Sequence, residues 1–156
     1  MCIAAYYHLT TRTEITNFSQ TGAKLPISTK NGRIALIRWG RRPTEPGALP
    51  FGGWASQESI EKGVWFKYSP QLVQLPIIRF IDINYDHRCV WVDVLPEYSL
   101  AGLFIQNGKE KRVYVVTTKA TTQHYISNKW PKMLKGENYG YAYPTTGLRV
   151  HQKIYS

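Results

Sequence analysis

Asn107-Gly108 stands between two apolar runs, "LAGLFI" before it and "RVYVVTT" after it, inside the polar stretch "QNGKEK". An Asn-Gly pair tolerates the positive φ angles of a two-residue hairpin turn, and the flanking runs hold the β-branched and aromatic residues that suit strands. An antiparallel pair is therefore the first element to place. "RCVWVDVL" adds another strand, in which Val90, Val92 and Val94 alternate with Trp91 and Asp93. "CIAAYYHL" and "LPIIRFIDI" read the same way, and "GRIALIRWG" reads as a buried strand after the turn-like "KNG". Helical pattern is scarce. "TRTEITNFSQTG" predicts one short helix ending near Gly22, and "ATTQHYISNKWPKML" a second one stopped by Pro131. "RRPTEPGALPFGG" is rich in Pro and Gly and predicts a long irregular loop, a length often tied to function. No repeat or interdomain linker interrupts the pattern. The expectation is one domain over residues 1–156, of the α+β class and mostly antiparallel β, with a few short helices.

The chain has 156 residues, of which 43% are hydrophobic, enough for one core. Twenty Lys and Arg against ten Asp and Glu give a formal charge of +10. That excess favours a polyanionic partner, nucleic acid first and an anionic membrane surface second. Two cysteines are too few for a disulfide scaffold, and no CxxC spacing or histidine pattern suggests a metal. The N-terminal stretch lacks the long apolar run of a signal peptide or membrane span, so a cytosolic chain with reduced thiols is expected.

Cys2 admits two readings. A free cysteine is commonly a small buried hydrophobe, here opening a strand. Bacterial removal of Met1 would instead leave an α-amine and a thiol on one residue, and an α-amine titrates near pKa ~8, well below lysine.

Six ordered segments decide how far to press the second reading. The chain begins Met-Cys. It has "RWGRRP" (Arg38 to Pro43), then "WASQES" with Ala55, Glu58 and Ser59, then "LPIIRFIDI" with Pro76, Phe80 and Asp82. "SLAGLFI … VVTTKA" follows with Ala101, Gly102, Leu103, Thr117, Thr118 and Ala120, and "ISNKWPKML" closes with Ile126, Pro131 and Leu134. In this order the segments resemble the SOS-response-associated peptidase (SRAP) family, whose patterns are "RWG", "NARAET", "VPADGFYEW", "LAFAGLWE … ITTEA" and "IHDRMPVIL". The resemblance runs from residue 2 to about 134. It implies a barrel-like sheet core and covalent attachment to abasic sites in single-stranded DNA through Cys2. An abasic sugar opens to an aldehyde, and an amine and a thiol held on one carbon frame close a thiazolidine ring in an effectively intramolecular step. The family's "peptidase" label refers to release of Met1.

The chain departs from the family at several site positions. Ile3, Ala4 and Ala5 replace the segment carrying the family's arginine. Trp54 stands for the asparagine of "NARAET" and Ser56 for its arginine. Asp82 replaces the catalytic glutamate, keeping its charge but not its reach, and Ser127 falls where the family has histidine. His124, three residues earlier, shares a helical face with position 127 and is the candidate substitute or else a surface residue. Asp82 either pairs with a cation such as Arg79 or faces a cleft, since an unpaired buried charge is too costly. Glu58 is read as structural, orienting the N-terminus or the neighbouring loop. Cys89 is expected in the core, and His8 within a buried strand.

The resemblance and charge together point to Cys2, Asp82, Glu58, His124 and Ser127 for chemistry. For DNA contact they point to Arg38, Trp39, Arg41, Arg42, Trp54, Lys129 and Trp130, cations for phosphates and rings for bases. For Trp39 a core position is an equal alternative. Single-stranded and abasic-site DNA are the expected partners, with a monomer, no cofactor, no metal and no membrane. The alternatives are a degenerate relative that binds nucleic acid without covalent chemistry, and an N-terminal-nucleophile amidase.

Overall fold

The hairpin at Asn107-Gly108 forms in the computed structural model of the protein, which describes residues 3–29, 31–83, 86–119, 129–136 and 143–144. In chain order the elements are β1 (Ala4–His8), β2 (Thr13–Asn17), β3 (Lys24–Ser28), β4 (Ile34–Trp39) and β5 (Trp54–Ser56). Helix α1 (Gln57–Glu61) and a 3-10 turn (Phe66–Tyr68) follow, then β6 (Gln71–Leu75), β7 (Arg79–Ile83) and β8 (Cys89–Asp93). The last strands are β9 (Tyr98–Asn107), β10 (Glu110–Thr118), β11 (Trp130–Pro131), β12 (Met133–Lys135) and β13 (Tyr143–Pro144).

These strands make two sheets. The smaller is wholly antiparallel in the order β2-β1-β7-β8. The larger follows β13-β6-β9-β10-β4-β3, with β5 and β11 added on β10 and β12 on β9. It is mixed, because β10 runs parallel to β4 and β5. The path curls so that β3 lies beside β6, but no ladder closes it into a barrel among the described residues. The architecture is thus mostly antiparallel β with little helix.

Period-2 alternation divides β9 and β10 between two apolar layers. Leu100, Val113 and Val115 face an inner core shared with Ala5, Tyr7, Leu25, Trp39, Leu75, Phe80 and Val92. Ala101, Leu103, Ile105, Tyr114 and Val116 face the other way, under Leu49, Ile60 and Trp65 from the overlying loop and helix. Each fully buried large side chain stabilises the fold by roughly 1.5–3 kcal/mol. Gly102 lets Leu75 pack against β9, where a Cβ would meet Leu75 Cδ2 at 2.9 Å.

Several expectations are corrected. The helix expected within residues 11–22 is instead strand β2 and a turn. Thr13, Ile15 and Thr16 suit a strand paired with β1, and Asn17 Oδ1 accepts from Ser19 N in the turn that ends it. Most of the second expected helix lies outside the described residues, but its Trp130-Pro131 end is strand β11. β4 is half buried, not buried: Ala35, Ile37 and Trp39 pack on the inner core while Ile34, Leu36 and Arg38 are exposed. Cys89 is exposed, on the outward parity of β8 with Trp91 and Asp93. His8 is exposed too, its ring edge-on to Tyr6 at 5.6 Å. The long loop of residues 41–53 is irregular as expected, closed at its neck by a bridge between Arg41 and Gly52.

Candidate functional site

β1 enters the fold between two elements that carry site positions. Ile3 N donates to Ile81 O at 3.2 Å, and Ile3 O accepts from Phe18 N at 3.0 Å. Ile81 neighbours Asp82, and the Phe18 ring packs tilted against Trp54, with centroids 4.7 Å apart. The register Ala4↔Ile81 and Ala5↔Phe80 sets Asp82 at the end of β7 where β1 begins. The residue that follows Cys2 is therefore bonded to the strand of Asp82 directly and linked to position 54 through Phe18. Cys2, His124 and Ser127 themselves lie outside the described residues.

Asp82 has no exposed surface. It shares the inner parity of β7 with Phe80, opposite Val90, and Phe80 packs edge-on against Trp130 at 5.3 Å. Arg79 is not its counterion: it lies on the outer face and pairs with Asp93 at 2.8 Å. Glu58 points to solvent from α1 and pairs with Lys62 at 2.7 Å, which holds its carboxyl below the usual range. The cap of α1 is Ser56, whose hydroxyl accepts from Ser59 N at 3.1 Å.

The residues expected to touch DNA divide sharply. Trp39 and Trp130 are buried, and Trp39 Nε1 donates to Gly53 O at 2.9 Å. Trp54 is partly buried against Phe18 and Trp39. Arg42 turns inward, donating to Phe18 O at 2.7 Å and to Glu45 Oε1 at 2.6 Å. Arg41 donates to Glu45 O and Leu49 O and lies over the Phe51 ring. These two arginines shape the loop they stand in. Arg38 and Lys129 remain exposed.

A buried charged hub, which no motif signalled, pins that loop to β10. Arg112, with a side chain 2% exposed, donates to Gly40 O, Pro46 O and Glu45 Oε2 at 2.8, 2.9 and 3.0 Å. Its Nε also reaches Glu110 Oε2 at 3.3 Å. Glu110 Oε1 in turn accepts from Ala48 N and Leu49 N at 2.9 and 3.0 Å. Burial alone would raise both carboxyls. The hydrogen bonds and charge of Arg42 and Arg112 outweigh it at Glu45, and the two backbone donors with Arg112 do so at Glu110, leaving both below the ordinary range. Tyr114 completes the clamp, donating to Pro50 O at 2.6 Å, and burial pushes its phenol well above the usual value. Tyr114→Phe is expected to lower stability by about 1–2 kcal/mol, because it strips Pro50 O of its donor, and a urea melt at pH 7 measures that loss.

Lys132, only 4% exposed, lies behind β10 with its ammonium pKa lowered by burial, a fall that Glu61 partly opposes. Among the described residues no group of three or more His, Cys, Asp or Glu could hold a metal, and no helix is long and apolar enough to cross a membrane. Comparison with protein-family models, curated proteins and solved structures gives no match.

Proposed function

We propose that the chain is an SRAP-like protein that binds single-stranded DNA and captures abasic sites covalently through Cys2, once Met1 has been removed. The observation that carries this reading is the convergence on Ile3. The residue after Cys2 is tied to the strand bearing Asp82 and to Phe18, whose ring packs against Trp54. Those are the three places where the resemblance sets its nucleophile, its carboxylate and its asparagine. The curl of the larger sheet fits the barrel-like core the family implies, and the charge of +10 suits a DNA partner. Within this reading the protein acts as a monomer in the cytoplasm, on nucleoid DNA.

The chemistry balances without a cofactor. The Cys2 α-amine adds to the C1′ aldehyde of the abasic sugar and one water leaves to give an imine. The thiol sulfur then adds to the imine carbon, and the thiol proton passes to nitrogen as the thiazolidine closes. Within this reading Asp82, at the position of the family's glutamate, is the group assigned to move the proton. Burial of Asp82 favours a second reading, non-covalent binding by a chain that has lost the family's histidine and asparagine.

The two readings separate in one experiment. Incubation with an abasic single-stranded oligonucleotide is expected to give a heat-stable adduct, and Cys2→Ala is expected to abolish it. Binding without any adduct in the wild type selects the second reading.

A further inference from the structure

We propose that the groove between β4 and the β9–β10 hairpin is a phosphate track that seats the backbone of a single-stranded nucleic acid. The groove has a volume of 530 Å³ and lies between Lys24 and Arg38 on one side and Lys109, Glu110, Lys111 and Arg112 on the other. It opens where the parallel ladder of β4 with β10 stops, since that ladder holds only Arg38↔Arg112 and Trp39↔Val113.

Register explains the charge. Lys24 stands directly opposite Arg38, and Arg38 directly opposite Arg112, so three cations form one row across β3, β4 and β10. Like charges facing one another on neighbouring strands destabilise a sheet. Inside the protein Glu45 and Glu110 offset Arg112, but little is left for Lys24 and Arg38. Glu45 is committed to Arg42 and Arg112 at 2.6 and 3.0 Å and reaches Arg38 only at 3.7 Å. Glu110 is committed to Arg112 and to the Ala48 and Leu49 amides. Among the described residues no ion pair neutralises Lys24, Lys109 or Lys111.

Four cations thus surround the groove with a surplus that an external anion satisfies. The floor adds a second requirement. Leu36 is 37% exposed there, an apolar strip that matches the sugars and bases of a strand and has no use for an inorganic anion. The volume also falls in the ordinary range of ligand sites, ~300–1,000 Å³.

The inference rests on the DNA-binding reading for the identity of its ligand, but not on Cys2 chemistry. The test uses a fluorescent oligothymidylate without abasic sites, followed by anisotropy across a salt series. The groove variant carries Lys24→Gln, Arg38→Gln, Lys109→Gln and Lys111→Gln, all at exposed positions. A control of equal charge carries Arg33→Gln, Lys62→Gln, Lys67→Gln and Lys135→Gln, also exposed. Thermal melts of both variants verify the fold.

The groove variant is expected to bind on the order of 100-fold more weakly at physiological salt, with its salt slope reduced by about 3, since each single-strand phosphate contact contributes roughly 0.7. The control is expected to stay within about threefold of wild type, because its cations make no phosphate contacts. Equal weakening of both variants, or wild-type binding by the groove variant, overturns the track while leaving DNA binding intact. Full competition by inorganic phosphate at matched ionic strength reassigns the groove to a free anion and overturns the strand. Absence of wild-type binding overturns both the track and the DNA-binding reading. Cys2→Ala keeps the two separate, since it is expected to form no adduct yet to bind the oligothymidylate within about threefold of wild type, so loss of the adduct bears on Cys2 chemistry and not on the track.

Discussion

Arg112→Met is expected to lower stability by about 3–5 kcal/mol, the cost of leaving a buried carboxylate without its counterion. In a chain of this size that is a fall of roughly 10–15 °C in Tm. Methionine restores most of the volume but none of the donors. Gly40 O and Pro46 O lose their partners, Glu45 keeps only Arg42 at close range, and Glu110 keeps only the backbone amides. Adding Glu110→Gln to Arg112→Met is expected to recover part of the loss, because Glu45 still pairs with Arg42 and Glu110 no longer carries a charge without its counterion. Thermal unfolding followed by circular dichroism measures all three forms. An unchanged Tm in the single variant contradicts the clamp.

The same hub sets a pH dependence. Glu45 and Glu110 titrate below their ordinary range in the folded protein. A depressed folded pKa contributes stability that is present above the unfolded carboxylate value, about 4.3, and is lost as pH falls through the folded values. The wild type is therefore expected to lose stability steeply in acid below that value. In Arg112→Met the acid limb is expected to be shallower, because one interaction that depresses both carboxyls is gone, while Arg42 still lowers Glu45 and the Ala48 and Leu49 amides still lower Glu110. Melts between pH 7 and pH 3 read the difference in slope.

Gly40→Ala is the second large effect. Gly40 has φ +53, and a Cβ built there lies 2.0 Å from Gly52 O and 2.7 Å from Gly53 Cα. Those neighbours are backbone, so they cannot swing aside as a side chain would. The left-handed conformation costs an L-residue roughly 1–2 kcal/mol, and breaking the Arg41–Gly52 bridge adds about 1–3 kcal/mol. The total expected loss is about 2–5 kcal/mol, summed from the same two effects. The damage centres on the neck of the 41–53 loop, so trypsin is expected to cut after Arg41 far faster than in the wild type, while Arg42, followed by Pro43, resists cleavage. Unaltered cleavage contradicts the account. The "RWG" signature thus has a structural reason here, with Trp39 as a core ring bonded to Gly53 and the glycine as the point where two backbones meet.

Strand content was legible because alternation and turn chemistry are local. Val90, Val92 and Val94 against Trp91 and Asp93 read as β8 from spacing alone, and Asn107-Gly108 as the β9–β10 turn. That alternation also placed Cys89 outward, a consequence obscured by the general tendency of free cysteine to be buried. β2 was missed because Thr, Asn and Ser resemble capping residues when no partner strand is in view. The hub was invisible for a different reason. Arg112 sits in what reads as an apolar strand, and its partner Glu45 is 67 residues away. Pairings of that separation leave no local spacing to find. The groove was hidden likewise, since Lys24, Arg38 and Arg112 become neighbours only through strand register.

The most direct test of covalent capture is the mass and sequence position of the product formed with an abasic single strand. The account predicts a protein lacking Met1, heavier by the oligonucleotide less one water, with the added mass on the peptide that begins at Cys2. A product that retains Met1, or that carries the strand on a lysine, contradicts it.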